Sequence, residues 1–336
     1  MSAGPIRRLT SVSALPPELR GAVVAIGNFD GVHRGHQAVL ERADEIARRE
    51  GRPLVCLTFE PHPRTVFRPQ DPVPRLTPAP MKARLLAALG FEAVIEQPFS
   101  RDFAGLSADS FLGDILVGGL GLMHVVVGFD FHYGARRAGT PALLREAGAR
   151  LGFGVTCVEA FTDEGGETVS SSRIRAHLAA GEVAEAAGLL GYRWTVEAEV
   201  TGGQRLGRTL GYPTANMRLH EEATLGHGIY AVRFRRADGR LHDGVASYGR
   251  RPTFDNGAPL FETHLFDFSG DLYGETAEVS LFGFLRPEEK FDGAEALVRQ
   301  MDRDAEAARA LLAAVRPLSA LDDTIAFALG GDAATS

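Results

Sequence analysis

Several residue types and patterns that usually announce chemistry are nearly missing from this chain. It has two cysteines, Cys56 and Cys157, and Cys56 lies inside an apolar run that reads as a strand. A disulfide framework and a cysteine-based metal site are therefore excluded, and a cytoplasmic setting is expected. Lysine occurs only at positions 82 and 290, so any phosphate must be held mainly by arginine, histidine and backbone amides. The pattern G-x-x-x-x-G-K-[ST] is absent, so a phosphotransfer activity here is not of the P-loop kind. No stretch approaches about 18 unbroken apolar residues. Residues 1–15 carry arginines but no apolar segment, so neither a membrane span nor a signal peptide is expected. The net charge of −7 speaks against nucleic acid as an electrostatic partner. Internal repeats and low-complexity tracts are also lacking.

What is present is enough for two ordinary cores: 336 residues, 45% of them hydrophobic. Short apolar runs at 23–26, 54–59, 93–96, 124–127 and 155–158 alternate with helical spacing at 37–49, 79–89, 108–116 and 141–151. This succession predicts an α/β, Rossmann-like domain with a parallel sheet, whose ligands bind at the C-terminal strand ends. One further helix is predicted over 173–190, capped by Ser170-Ser171-Ser172. From Trp194 onward the apolar period shortens to two, over 196–200, 229–234, 260–266 and 277–281, with turns at 237–240 and 269–271. That pattern predicts a small antiparallel β-barrel, closed by a helix over 293–315. Residues 330–336 are small and polar and are expected to fray.

The chain is organised around Gly27-Asn28-Phe29-Asp30-Gly31-Val32-His33-Arg34-Gly35-His36. Glycines break the strand at 23–26, a helix follows, and His33 and His36 fall where that helix begins. Such a turn offers backbone N–H groups and two imidazoles to one anion, as a triphosphate requires. Further on, Gly203-Gln204-Arg205-Leu206-Gly207-Arg208-Thr209-Leu210-Gly211-Tyr212-Pro213-Thr214-Ala215-Asn216 has glycines that let a loop close over phosphates. Arg208 adds charge, Pro213 stiffens the turn, and Thr214 and Asn216 supply oxygens suited to a hard cation such as Mg²⁺.

The first stretch is similar to the G-x-F-D-G-x-H-x-G-H form of the nucleotidyltransferase signature. Four others follow in the same order: Thr58-Phe59-Glu60-Pro61-His62-Pro63; Gly128-Phe129-Asp130-Phe131 with Gly134 and Arg137-Ala138-Gly139; Ser170-Ser171-Ser172-Arg173-Ile174-Arg175; and the Gly181 to Gly191 pattern. The 203–216 stretch resembles the riboflavin kinase motif. Phe261-Glu262-Thr263-His264-Leu265-Phe266-Asp267-Phe268 with Asp271-Leu272-Tyr273-Gly274 matches that kinase's E-x-H-L-x-D-F…D-L-Y-G pattern. Together they resemble the bacterial bifunctional riboflavin kinase/FAD synthetase family over residues 10–315.

The resemblance implies an FMN adenylyltransferase domain at 1–188, a riboflavin kinase domain at 189–322 and a tail at 323–336. It also implies ATP and Mg²⁺ in both steps, with riboflavin, FMN and FAD as substrates and products. His33 and His36 would meet the ATP phosphates and the developing charge, surrounded by Asn28, Asp30 and the amides of Gly27 and Gly31. Ser171, Ser172, Arg173 and Arg175 would hold phosphates or the adenine side. Phe59, Pro61, His62, Asp130, Phe131 and Arg137 would build the flavin end. Arg136 reads as half of a solvated basic pair and is left out, and Phe129 and Phe131 read first as core. In the second domain Gly203, Gly207, Arg208, Gly211 and Pro213 would cradle the nucleotide, and Thr214 and Asn216 would hold Mg²⁺. Glu262, pointing into a barrel mouth, would be the general base, while Arg286 and Phe291 would border the flavin.

There are departures from the family pattern. Ser172 stands where threonine is usual and Tyr212 where phenylalanine is usual, both mild changes. Ser247-Tyr248 replaces asparagine and an apolar residue, and is expected to reshape a loop beside the kinase site. A second reading is therefore an FAD synthetase whose barrel binds flavin without phosphorylating it. A third is a non-catalytic flavin or nucleotide sensor, against which stands the retention of a base and both histidines. Oligomeric state is not legible in the sequence, and a homo-oligomer is left open.

Overall fold

The computed structural model describes residues 6–202, 212–219, 223–250 and 259–328. They form two compact units divided between Ser171 and Ser172.

The first unit is built on a parallel sheet of six strands in the order β1-β4-β3-β2-β5-β6: Arg7–Leu9, Val23–Ile26, Leu54–Glu60, Ala93–Pro98, His124–Gly128 and Gly154–Val158 for β1 to β6. The register sets Ile26 beside Leu57 and Val127. The loops that leave β2, β3 and β5 therefore emerge from one edge. Residues of β2 and β3 are buried almost throughout, as strands covered on both faces must be. The chain leaves β2 toward β3 and β4 and returns to its other side with β5. That reversal opens a crevice at the carboxyl edge, where such sheets take their ligands.

Helix α1 (Arg34–Glu50) covers this sheet through Val39, Leu40, Ala43, Ile46 and Ala47. It ends at Gly51, whose φ of 60° lets its N–H reach back to the carbonyls of Ala47 and Arg48. The five apolar runs read as strands in this half are strands. β1 was not legible, because three residues with two exposed arginines show no pattern. The helix predicted over 108–116 is instead a short turn, Ala108–Ser110, running into a π-wound segment, Phe111–Leu120. Other helices of this unit are α2 (Pro63–Phe67), α3 (Ala79–Ala88) and α4 (Pro141–Leu151).

In the second unit the single helix predicted over 173–190 is two, α5 (Ser171–Ala179) and α6 (Val183–Leu190). Gly181, at φ 81°, turns the chain between them. A closed antiparallel barrel follows in the order β10-β11-β8-β7-β12-β9. Its strands β7 to β12 are Thr195–Thr201, Thr214–Met217, Gly228–Arg235, Leu241–Arg250, Pro259–Leu265 and Thr276–Arg286. Two of them, β8 and β10, carry the motif residues and read as loop in the sequence. Phe261, Thr263 and Leu265 point inward, as do Tyr230, Val232 and Phe234. The alternate residues face outward, where helix α7 (Ala294–Ala314) lays Ala308 and Leu312 over Ala231, Phe266 and Phe282.

The chain then ties itself down. The buried Asp322 carboxylate accepts the backbone N–H of Arg193 at 2.7 Å and pairs with its guanidinium. Arg233 and Arg193 lie over the rings of Phe282 and Phe327. Asp323–Phe327, counted with the tail in the sequence reading, is a π-wound turn packed by these arginines; the predicted frayed end, 330–336, lies outside the described residues. No helix among the described residues is long and apolar enough to cross a membrane.

Candidate active sites

The Gly27–His36 turn is shaped from beneath. A β-carbon on Gly27 would lie 2.9 Å from the Phe29 ring, so this position must be glycine for the turn to close. Phe29 and Val32 take φ of 46° and 41°, a region side chains occupy only when their surroundings enforce it. His33 caps α1: its Nδ1 accepts the N–H of His36 at 3.3 Å. In the neutral ring Nε2 is therefore the donor. The His33 and His36 rings stack at 3.6 Å between centroids, and Phe29 meets His36 edge-on at 5.4 Å. Burial holds the His36 imidazole well below its usual pKa, and the charges of His33 and Lys82 act in the same sense. His36 is thus neutral at pH 7, and its buried Nδ1 has no partner among the described residues.

The two glycine amides expected around the phosphates are already used. Gly27 N–H donates to the Leu57 carbonyl at 3.2 Å, and Gly31 N–H to Thr77 Oγ1 at 2.9 Å. The helix's own first amides, at Arg34 and Gly35, have no intrahelical acceptor. Asp30 is likewise structural. It is 2% exposed and accepts the N–H groups of Leu76 and Thr77 at 3.0 and 3.2 Å, so it does not face the cavity. Ser171 Oγ donates to the Asp30 carbonyl at 2.8 Å.

Under the turn sits a buried set of charges that the motifs did not reveal. Lys82, 2% exposed, donates from Nζ to the carbonyl of Asn28 (2.9 Å), Thr58 Oγ1 (3.1 Å) and Glu60 Oε1 (3.1 Å). Glu60 also takes both terminal nitrogens of Arg75 at 2.7 Å, and Arg75 Nε lies 3.6 Å from Asp30. Burial would raise the Glu60 pKa, but the Arg75 hydrogen bonds and the Lys82 charge outweigh it and hold the carboxyl at about 2. Asp30 and Glu60 stand in the motif stretches, but Arg75 gave no sequence signal and Lys82 only the rarity of lysine.

A cavity of about 750 Å³ opens beside the turn. Gly27, Asn28 and His36 form one side; Phe59, Phe103, Phe111, Phe131 and Tyr133 form an aromatic wall; His62, Arg64, Arg68, Arg136 and Arg137 complete it with Asp130. Phe131 stacks on Tyr133 at 5.8 Å. Phe129, expected in the core, is 47% exposed. Pro61 is exposed and not in the lining, which takes His62 and Pro63 instead. Arg136, set aside in the sequence reading, lines the cavity as Arg137 does. Ser172, Arg173 and Arg175 stand on the opening turns of α5, in the second unit.

The second unit has its own cavity of about 380 Å³, between the outer face of the barrel and α7. Thr214, Ser247, Glu262, His264, Arg286 and Phe291 line it, with Leu297, Met301 and Asp304 from α7. In register Glu262 lies between Asn216 on β8 and Ser247 on β10. Glu262 does not point into the barrel, whose interior takes its neighbours Phe261 and Thr263. Asn216 is 6% exposed and its Oδ1 has no hydrogen-bond partner among the described residues; with Thr214 two residues away on the same face, it fits an oxygen ligand of a hard cation. Pro213 is exposed, and its carbonyl accepts from His264 Nδ1 at 3.0 Å. Arg286 is fixed by Asp304 at 2.9 and 2.7 Å and lies 5.6 Å from the Phe291 ring.

The substitution pair also resolves here. Ser247 lines the cavity, whereas Tyr248 is 6% exposed and packs on Phe261 inside the barrel, so the phenol does not crowd the site. Gly203, Gly207, Arg208 and Gly211 lie outside the described residues. Sequence reasoning put Ser247 beside this site and missed roles for His264, Leu297, Met301 and Asp304; strand alternation through Glu262 could have found His264.

Comparison with known proteins agrees with this division. The FAD synthetase family model matches residues 15–173 and the riboflavin kinase family model residues 190–312. The chain is 38% identical over 312 residues to the bifunctional riboflavin kinase/FMN adenylyltransferase of Escherichia coli K12, covering 93% of this chain and 99% of that one. It is 41% identical to its counterpart in Listeria monocytogenes, covering 87% and 92%. A crystal structure titled macrolide-efflux protein, from Streptococcus pneumoniae, is similar with a TM-score of 0.80 and 31% identity over 91% of this chain and 99% of that one.

Proposed function

The chain belongs to the bifunctional riboflavin kinase/FMN adenylyltransferase family, and we propose that its two cavities carry the two activities separately. It phosphorylates riboflavin with ATP to FMN, and adenylylates FMN with ATP to FAD and pyrophosphate. The observation that carries the assignment is the pairing of each motif set with its own cavity: His36 and the aromatic wall in the first unit, Thr214 and Glu262 in the second.

In adenylyl transfer a phosphate oxygen of FMN attacks the α-phosphorus of ATP in line, and pyrophosphate leaves with its charge. Both reactants are anions, so the protein's work is positioning and charge neutralisation. His33 and His36 meet the phosphates from the start of α1. A neutral His36 donates one N–H, and the approach of negative charge raises its affinity for a proton as charge builds on the leaving group. Phe59 and Phe131 face the isoalloxazine and Asp130 and Arg137 its polar rim, with Ser172, Arg173 and Arg175 on the nucleotide side. Asp30, Gly31 and Ser171 support the turn instead of touching substrate.

In the kinase step Glu262 takes the proton of the ribityl hydroxyl as the hydroxyl oxygen attacks the γ-phosphorus of ATP, the bond to the β–γ bridging oxygen breaks and ADP leaves. Thr214 and Asn216 would hold Mg²⁺, which neutralises phosphate charge when bound. Arg286 and Phe291 border the flavin, and Gly203, Gly207, Arg208 and Gly211 approach the nucleotide. The functional division assigned is 1–188 and 189–322, with residues 323–336 as the tail. The enzyme works in the cytoplasm on small molecules, without nucleic-acid or membrane partners, a reading the net charge of −7 supports.

Glu262→Ala tests the separation. Riboflavin with MgATP should give no FMN, while FMN with MgATP still gives FAD at the parent rate. Equal loss of both activities would contradict separate sites.

A further inference from the structure

Helix α7 carries one apolar stripe, Leu297, Met301, Ala308 and Leu312, spaced to fall on a single face. Only its second half is packed. Ala308 and Leu312 are buried against the barrel, whereas no residue of the helix ahead of Asp304 is buried. Leu297 and Met301 line the second cavity instead, so the front half of α7 is a cavity wall and has no core beneath it to set its position.

Two polar ties from the barrel, among the described residues, hold that wall. Arg286 at the end of β12 pairs with Asp304 at 2.9 and 2.7 Å. The Tyr212 hydroxyl, just ahead of β8, donates to the Asp302 carboxylate. At about 100° per residue, Asp302 and Asp304 lie on opposite flanks of the helix, with Met301 between them. Either tie alone leaves the helix able to roll about its axis; the two together fix which way Met301 and Leu297 face.

The barrel end of the Tyr212 tie is itself held. The Tyr212 ring lies 4.8 Å from the ring of His264, which is bonded through Nδ1 to the Pro213 carbonyl at 3.0 Å and stands opposite Thr214 in register. Burial, and after it the Asp302 carboxylate, push the Tyr212 pKa up to about 12, so the phenol keeps the proton it donates. A phenylalanine would fill the place of the ring without making the tie.

We infer that Tyr212 is a positioning residue for riboflavin: by holding Asp302 it fixes the roll of α7 and thereby the apolar wall that Leu297 and Met301 present to the flavin. A wall free to roll offers the binding arrangement only part of the time, and apparent affinity falls with that fraction. Glu262 and Thr214 stay on their paired strands, so the tie acts on flavin binding and not on the phosphoryl transfer. The inference rests on the assignment of riboflavin to the second cavity.

The test uses the full chain with riboflavin and MgATP. Tyr212→Phe removes the hydroxyl and keeps the ring against His264. The riboflavin KM should rise about two- to fivefold, at most the effect of one hydrogen bond of ordinary net strength, with kcat and the ATP KM unchanged. Asp302→Ala should do the same, and the double variant should be no worse than either single one. Asp302→Asn, which keeps an acceptor oxygen, should stay nearer the parent than Asp302→Ala. A riboflavin KM unmoved in both single variants, or effects of the two that add, overturns the inference. So does a fall in kcat matching the rise in KM, which marks a tie that serves stability alone. A parent protein that forms no FMN from riboflavin defeats the assignment of riboflavin to this cavity, and the inference with it.

Discussion

Lys82→Met is the perturbation that most directly separates a motif from what holds it in place. The Lys82 ammonium is buried and donates to the Asn28 carbonyl, Thr58 Oγ1 and Glu60 at 2.9 to 3.1 Å. Methionine fills nearly the same volume but removes the charge, leaving Arg75 opposite Asp30 and Glu60. Breaking a buried pair by deleting one partner costs about 3–5 kcal/mol. Two features reduce that cost: Glu60 keeps its two bonds to Arg75, and burial already lowers the Lys82 pKa, so its removal relieves a desolvation penalty. A loss of about 2–3 kcal/mol remains, less than the roughly 5–15 kcal/mol of an ordinary domain, so the variant should fold. Its Asn28 carbonyl, however, keeps Thr58 Oγ1 at 3.1 Å but loses the charged one of its two donors, which loosens the turn carrying His33 and His36. A displacement of about 1 Å at reacting groups costs on the order of 100-fold. FAD formation from FMN should therefore fall about 10- to 100-fold, mainly in kcat, while phosphorylation of riboflavin by the same preparation stays at the parent rate and serves as the folding control. If FAD formation is retained although urea titration shows the loss of stability, Lys82 is a structural residue only and the reasoning about the turn is wrong.

Other consequences can be measured on the same protein. His36 is neutral when folded and has an ordinary pKa of 6.5 when unfolded, so the unfolded chain binds the extra proton as pH falls below about 6.5. Stability of the first unit should decline over that interval, and His36→Gln should flatten the decline in urea midpoints; an unchanged slope would remove His36 as its source. Glu60 behaves in the opposite sense: held at about 2 against an ordinary 4.5, its stabilisation is present above pH 4.5 and is lost only as pH falls toward 2. Asp322→Asn leaves the buried Arg193 guanidinium with a neutral partner, and should cost about 2–4 kcal/mol. Riboflavin phosphorylation should then fail at lower urea than FAD formation, and coincident failure would count against that expectation.

Much of this architecture was legible because burial imposes a period. Strands β2 to β6 are short apolar runs, so their limits could be read to within a residue or two. What escaped reading had a local reason. β8 consists of Thr214, Ala215, Asn216 and Met217, residues chosen for chemistry on one face, and they mask the alternation on which a strand is recognised. The Arg173–Leu190 stretch kept its apolar spacing across Gly181, and a single φ of 81° is enough to end one helix and begin another without disturbing that spacing.

The sites were legible in a different way. The motifs led to both cavities but did not distinguish residues that line a cavity from residues that hold those residues. Within one contiguous decapeptide His36 faces the cavity, whereas Asp30 lies beneath it, bonded to Leu76 and Thr77. A short motif is constrained at every position, but for two reasons: some positions meet the ligand, and the rest keep a strained turn from relaxing. The second kind recruits partners from distant sequence, here Glu60, Arg75, Thr77 and Lys82, whose identity depends on sheet order and not on spacing. The same holds for Arg136. Its residue type suggested only solvated charge, yet it lines the cavity from a left-handed backbone at φ 54°. The residues that most sharply test the mechanism are therefore those that no spacing rule could have supplied.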